Sequence, residues 1–146
     1  MAKSKENEHQ EEKYDLIKKM IETRTILVSG QINKTLAEKI NKQLIILSDE
    51  SDKEIRVFID SPGGDADAGF GIFDMMRFVK PTIKTISSGL TASAGVIILL
   101  AAEKKNRLSL PNSRILIHQP SSGMVGVASD IKIHADEIVK LKHRVN

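Results

Sequence analysis

Three short stretches hold the residue types from which nucleophilic attack on a carbonyl can be assembled. They are Asp60-Ser61-Pro62-Gly63-Gly64-Asp65, Ser88-Gly89-Leu90-Thr91-Ala92-Ser93-Ala94-Gly95 and Ile115-Leu116-Ile117-His118-Gln119-Pro120. The first puts two glycines where backbone N–H groups can be approached closely by a ligand. The second carries a serine, Ser93, in or just before the first turn of an apolar helix. That helix end has unpartnered N–H groups and the positive end of a dipole, so the N–H of Ala94 suits an oxyanion formed beside Ser93. The third supplies an imidazole, His118, able to act as a base. Singly, Pro-Gly-Gly reads as a tight turn, Ser93 as a helix cap or packing serine, and His118 as a structural histidine. The spelling Thr-Ala-Ser-Ala-Gly at 91–95 lacks the first glycine of a Gly-x-Ser-x-Gly elbow, which disfavours an α/β-hydrolase. His9, His134 and His143 have no metal-ligand company at useful spacing.

The elements that must position these residues alternate. Leu16, Ile17, Met20 and Ile21 repeat at helical spacing before the β-rich run 25–30. Residues 34–50 place Leu36, Ile40, Leu44 and Leu47 on one helix face, with Thr35 and Glu38 matching a capping box. A buried strand follows at 55–61, then a helix over 66–79 stopped by Pro81, and a strand over 83–88. Ala94–Ala102 is apolar on every side, which predicts a central, fully buried helix. Two more strands are expected around 106–110 and 115–120, with Pro111 and Asn112 turning between them. A long amphipathic helix over 128–146 carries Ile131, Ala135, Ile138, Leu141 and Val145 on one stripe. This order predicts one α/β domain over 14–146, with a mostly parallel sheet and helices on its faces, and the three chemical stretches at the C-terminal ends of strands, where such sheets bind ligands. Residues 1–13 are almost wholly polar and predict a flexible arm. No Gly or Pro stop follows the last helix, which reads as a domain incomplete at its C-terminus.

At 146 residues a single domain can close a core without cross-links, and with no cysteine, disulfide frameworks, thiolate zinc sites and a cysteine nucleophile are excluded. The balance of 22 basic to 19 acidic residues is too mild to argue for nucleic acid, and one Tyr, four Phe and no Trp leave few rings for stacking bases. The longest apolar run, Ala94–Ala102, is half what a bilayer span needs, and the charged N-terminus is unlike a signal peptide. A cytoplasmic protein is expected, with no membrane or nucleic-acid partner.

In their order and spacing, Asp60-Ser61-Pro62-Gly63-Gly64, Gly89-x-x-Ala92-Ser93-x-Gly95 and Leu110-Pro111-Asn112-Ser113-Arg114 running into Ile117-His118-Gln119-Pro120 closely resemble the proteolytic subunit of the Clp protease, the ClpP family. The similarity runs from about Thr25 to Asn146. The resemblance implies a crotonase-like α/β fold with a long C-terminal handle helix and a serine endopeptidase with a Ser-His-Asp triad. Ser93 falls on the nucleophile, His118 on the general base, and Gly64 and Ala94 on the oxyanion-hole amides. It further implies substrate strands lying beside Gly63, Gly64 and the segment Ser121, Ser122, Gly123, Met124 and Val125. Partners implied are further copies in two stacked seven-membered rings, a hexameric AAA+ unfoldase that consumes the ATP, and unfolded polypeptides. No cofactor is expected in this chain, which lacks a Gly-x-x-x-x-Gly-Lys loop. Thr91 and Ala94 depart from the alanine and methionine commonest beside the nucleophile. The triad's acid is implied to lie further along than Asn146, and Asp130 and Asp136 do not match its motif; loss of that acid costs about 10⁴ in rate, so activity of the chain as it stands is in doubt. Two other readings remain: an inactive ring subunit, and a crotonase-fold acyl-CoA enzyme that would use the two amides and ignore Ser93 with His118.

Overall fold

A computed structural model describes residues 12, 14–118 and 128–145. Of the arm expected over 1–13 only Glu12 is described, and it is helical. Helix α1 (14–22) leads into β1 (Thr25–Ser29), followed by α2 (Lys34–Glu50), β2 (Ile55–Ser61), α3 (Ala66–Phe78), β3 (Ile83–Ala92) and the short α4 (Ala94–Leu99). A 3-10 turn over Lys104–Asn106 precedes β4 (Arg107–Ser109) and β5 (Arg114–Leu116), and α5 (Ala128–Val145) comes last.

All pairings are parallel, in the order β1-β2-β3, with β4 beside the first half of β3 and β5 beside its second half. Alternation drives burial in the first two strands. Ile26 and Val28 of β1 and Ile55, Val57 and Ile59 of β2 are fully buried, while their neighbours face outward. They meet Ile40, Leu44 and Leu47 of α2, Ile72 and Met76 of α3 and Ile98 of α4 in one core. Every residue of α4 is buried, as its unbroken apolar sequence requires, but the helix is shorter than expected and gives way at Leu100, which is 42% exposed.

Several expected boundaries shift. The cap of α2 is Asn33 rather than the Thr35/Glu38 box: Asn33 is extended, and its Oδ1 accepts the Leu36 N–H at 2.9 Å, which leaves Thr35 inside the first turn. Glu38 instead accepts from Lys42 one turn on, and that partner holds its carboxyl below the usual range. Strand β3 continues past Ser88 to Ala92, and β4 and β5 are three residues each, because each finds only half of β3 to pair with. Of the stripe expected on α5, Ala135 is exposed and Ile138 half-buried; the side chains of Ile131, Leu141 and Val145 lie outside what is described.

Arg24 ties the sheet to the end of α2. At φ 53° it is one of two non-glycine residues with positive φ among the described residues, and its Nη2 donates to the carbonyls of Leu47, Ser51 and Lys53, each at 2.9 Å. Leu47 lies in the last turn of α2 and Ser51 and Lys53 just beyond it, so the guanidinium gathers the carbonyls of the helix exit and complements the negative end of its dipole. Arg24→Met is expected to lower the unfolding free energy by about 2–4 kcal/mol in a urea titration, because partly buried carbonyls lose a charged donor. A loss below about 0.5 kcal/mol would mean that water replaces the guanidinium without penalty.

Candidate functional site

The C-terminal ends of β1, β2, β3 and β5 converge on one edge of the sheet, and main-chain hydrogen bonds lock their corners together. After β1, Ile32 donates its N–H to the Gly63 carbonyl at 2.9 Å and accepts from the Asp65 N–H at 2.9 Å. These two bonds straddle Gly64, so Gly64's own N–H takes no part in the bridge to Ile32. Gly64 has φ 147°, and a side chain there would start 2.2 Å from the Ile32 carbonyl oxygen, which is why only glycine fits. Buried Ser61 braces the turn: its hydroxyl donates to the Gly30 carbonyl at 2.6 Å and accepts from the Gly63 N–H at 3.0 Å.

Ser93 sits at the next corner, and its backbone is strained. At φ 53° and ψ −120° it occupies a region that side chains rarely adopt, at a cost of about 1–3 kcal/mol. It stands at the N-cap position of α4 but makes no side-chain capping hydrogen bond, so a capping role does not account for the serine. The N–H of Ser93 donates to the Leu116 carbonyl at 3.0 Å, and Ala92 lies opposite Leu116 in the β3/β5 ladder. His118, two residues beyond Leu116 on an exposed stretch, is thereby carried to the side of the sheet edge where Ser93 turns. On the other side the Gly63-Gly64 loop touches the same corner. A Cβ on Gly63 would lie 2.6 Å from that of Ser93 and 3.1 Å from the Ala94 nitrogen.

Thus Gly63, Gly64, Ser93, Ala94 and the strand leading to His118 meet at one corner of the sheet edge. Ser121–Val125, also expected there, lie outside the described residues. Two participants escaped the sequence reading. Ile32 acts through its backbone alone and has no residue-type signature, whereas the hydroxyl of Ser61, just before the proline, was a visible candidate. Among the described residues no group of three or more His, Asp or Glu could hold a metal ion, and no helix is long and apolar enough to cross a membrane.

The sequence model of the family described as Clp protease matches residues 8–146. The chain belongs to the Clp protease family. It is 54% identical over 132 residues to the ATP-dependent Clp protease proteolytic subunit 2 of Treponema denticola, covering 90% of this chain and 66% of that protein. The proteolytic subunit 3 of Rhizobium meliloti is 49% identical over 87% of this chain and 65% of its own length. The chain therefore spans just under two thirds of the length of these Clp protease relatives. Among solved structures, the ClpP1 N165D mutant from Listeria monocytogenes superposes with a TM-score of 0.81 at 48% identity, over 89% of this chain and 72% of that one. The α/β class with a mostly parallel sheet and flanking helices, expected from the sequence, is the Clp protease fold observed here.

Proposed function

We propose that this chain is the proteolytic subunit of an ATP-dependent Clp-type protease, a serine endopeptidase that cleaves unfolded polypeptides. The observation that carries the proposal is Ser93 itself: a strained, uncapped hydroxyl between a glycine corner with a spare N–H and the strand that leads to His118. Strain of this kind persists at sites where geometry serves chemistry.

In the proposed reaction His118 removes the hydroxyl proton as Ser93 Oγ attacks the peptide carbonyl, and the N–H groups of Gly64 and Ala94 hold the oxyanion. Collapse of the tetrahedral species breaks the C–N bond, and His118 returns the proton to the departing amine. Water then attacks the acyl-serine by the same base and amides, freeing the carboxylic acid and restoring Ser93. Neither Asp130 nor Asp136 is assigned the third, orienting role. Peptide is proposed to lie along Gly63-Gly64 and Ser121–Val125, paired through its backbone and hence with little sequence preference. The chemistry draws on no metal or cofactor of this chain.

The proposed partners are copies of this subunit in stacked seven-membered rings, with α5 as the handle between rings, and a hexameric AAA+ unfoldase that spends the ATP, all in the cytoplasm. A groove of about 530 Å³ between the end of α2 and the end of α3, bordered by Ile45, Met75 and Phe78, supports a protein partner: Phe78 is 84% and Ile45 53% exposed.

Labelling with a fluorophosphonate, read by intact mass, tests the reading. One adduct is expected, on Ser93, absent in Ser93→Ala, and slowed about 10²-fold or more in His118→Ala because the base is gone. A wild-type protein that takes no adduct, or takes it elsewhere, overturns the hydrolase assignment.

A further inference from the structure

Strand β3 bulges just before Ser93. Ile59 of β2 pairs with Ser87 and Ser61 pairs with Thr91, so β3 spends four residues where β2 spends two. Between the ladder pairs Ile59–Ser87 and Ser61–Thr91, side-chain hydrogen bonds add to the hold of β2 on the bulged segment. The Asp60 carboxylate accepts the Leu90 N–H at 2.9 Å. The Thr91 hydroxyl donates to the Ile59 carbonyl at 3.1 Å. Thr91 Oγ1 also lies 2.8 Å from Ser87 Oγ; since the threonine's one proton is committed to Ile59, Ser87 is the donor of that bond. Thr91 and Ser87 are both fully buried, so these hydroxyls have no water to fall back on. Gly89, at φ 85°, completes the fit: a Cβ there would lie 2.7 Å from Asp60 Oδ1, so the carboxylate fills the space the glycine leaves.

We propose that Asp60 and Thr91 are positioning residues for Ser93, pinning the bulge at Leu90 and Thr91 so that the chain reaches the strained corner two residues later in one fixed geometry. The inference rests on the proposed role of Ser93 as nucleophile. Only Ala92 separates Thr91 from Ser93, and Ala92 and Ser93 are themselves held to β5 through Leu116. The corner is thus fastened on both sides of the sheet, and releasing the β2 side lets it relax toward ordinary backbone angles, moving the hydroxyl away from the amides and imidazole.

The test uses Thr91→Val, which removes the hydroxyl at constant shape, and Asp60→Ala, with Thr91→Ser and Asp60→Asn as variants that keep the acceptor or donor. Fluorophosphonate labelling is resolved into a binding constant and a bond-forming rate, and amide exchange is followed at Leu90 and Ser93. Thr91→Val and Asp60→Ala are each expected to slow bond formation about 10- to 100-fold with binding changed less than about threefold, and to speed exchange at Ser93 about tenfold. Thr91→Ser and Asp60→Asn are expected to stay within about threefold of wild type. Wild-type bond formation in both Thr91→Val and Asp60→Ala overturns the proposal. Should Thr91→Val not fold, Asp60→Ala, at an exposed position, decides alone. If the wild-type protein takes no label, it is the hydrolase reading that fails, and exchange at Ser93 then judges the positioning role: faster exchange in Asp60→Ala upholds it and unchanged exchange overturns it.

Discussion

Ser93→Gly is expected to silence the protein and stabilise it in the same step. The chemical loss follows from the proposed mechanism: without the hydroxyl no acyl-enzyme forms, and peptide cleavage falls by about 10⁶, the scale on which serine peptidases lose activity with their nucleophile. The stability gain follows from the backbone. Ser93 holds φ 53° and ψ −120°, where a Cβ crowds the chain and glycine does not. Relief of about 1–3 kcal/mol of strain is offset by about 0.5–1 kcal/mol for the greater freedom of glycine in the unfolded chain, for a net gain of up to about 2.5 kcal/mol. No helix cap is sacrificed, because the Ser93 side chain makes none. Ser93→Ala is the control: it removes the hydroxyl and keeps the Cβ, so it is expected to be equally silent with stability within about 0.5 kcal/mol of wild type. A glycine variant that unfolds at lower urea than the alanine variant would show that the corner is not strained and that serine is there for structure.

That strain marks the boundary between what the sequence makes legible and what it does not. Strands β1 and β2 are legible to within a residue because their signals are local: the β-rich run at 25–30 and the apolar run at 55–61 read as strands before any partner is known, whereas which side chains are buried, Ile26 and Val28 but not Leu27, is decided by packing. The corners carrying Gly63-Gly64, Ser93 and His118 are legible for a related reason, since loops that follow parallel strands gather at one edge whatever the order of the strands. The extension of β3 beyond Ser88 is not legible. It depends on Asp60 reaching Leu90 thirty residues away and on a threonine hydroxyl meeting the Ile59 carbonyl, pairings that local propensity does not contain. The same holds for the start of α2, where Thr35 and Glu38 spell a capping box but the extended backbone at Asn33 lets an earlier side chain take the Leu36 N–H. In both places the reading turns on which side chain takes a given backbone N–H: Asp60 takes that of Leu90 from thirty residues away, and Asn33 caps α2 from two residues before the box.

Gly63→Ala tests whether the two corners must touch. A methyl group on Gly63 would begin 2.6 Å from the Ser93 Cβ, 2.8 Å from the Ala92 carbonyl oxygen and 3.1 Å from the Ala94 nitrogen, and φ 95° penalises any side chain there regardless of space. None of those atoms is the tip of a flexible side chain, so a corner must move. If the 61–65 loop retreats, it loses the Ile32 N–H to Gly63 carbonyl bond and carries the Gly64 N–H away from the oxyanion; if the Ser93 corner retreats, the nucleophile goes with it. Either way two elements of the proposed site separate by about an ångström. That displacement, together with loss of one oxyanion donor, is expected to cost about 10³ in labelling and cleavage, and about 2–4 kcal/mol in stability. Rates are to be measured per folded molecule, well below the unfolding transition, so that the two losses are read separately. Gly71→Ala in α3 provides the comparison: a Cβ there meets nothing within 4 Å, so the same substitution is expected to stabilise by about 0.5–1 kcal/mol and leave labelling unchanged. A Gly63→Ala protein that labels at the wild-type rate would mean that the Gly63-Gly64 corner is a turn and nothing more, and the oxyanion would have to be held by other groups.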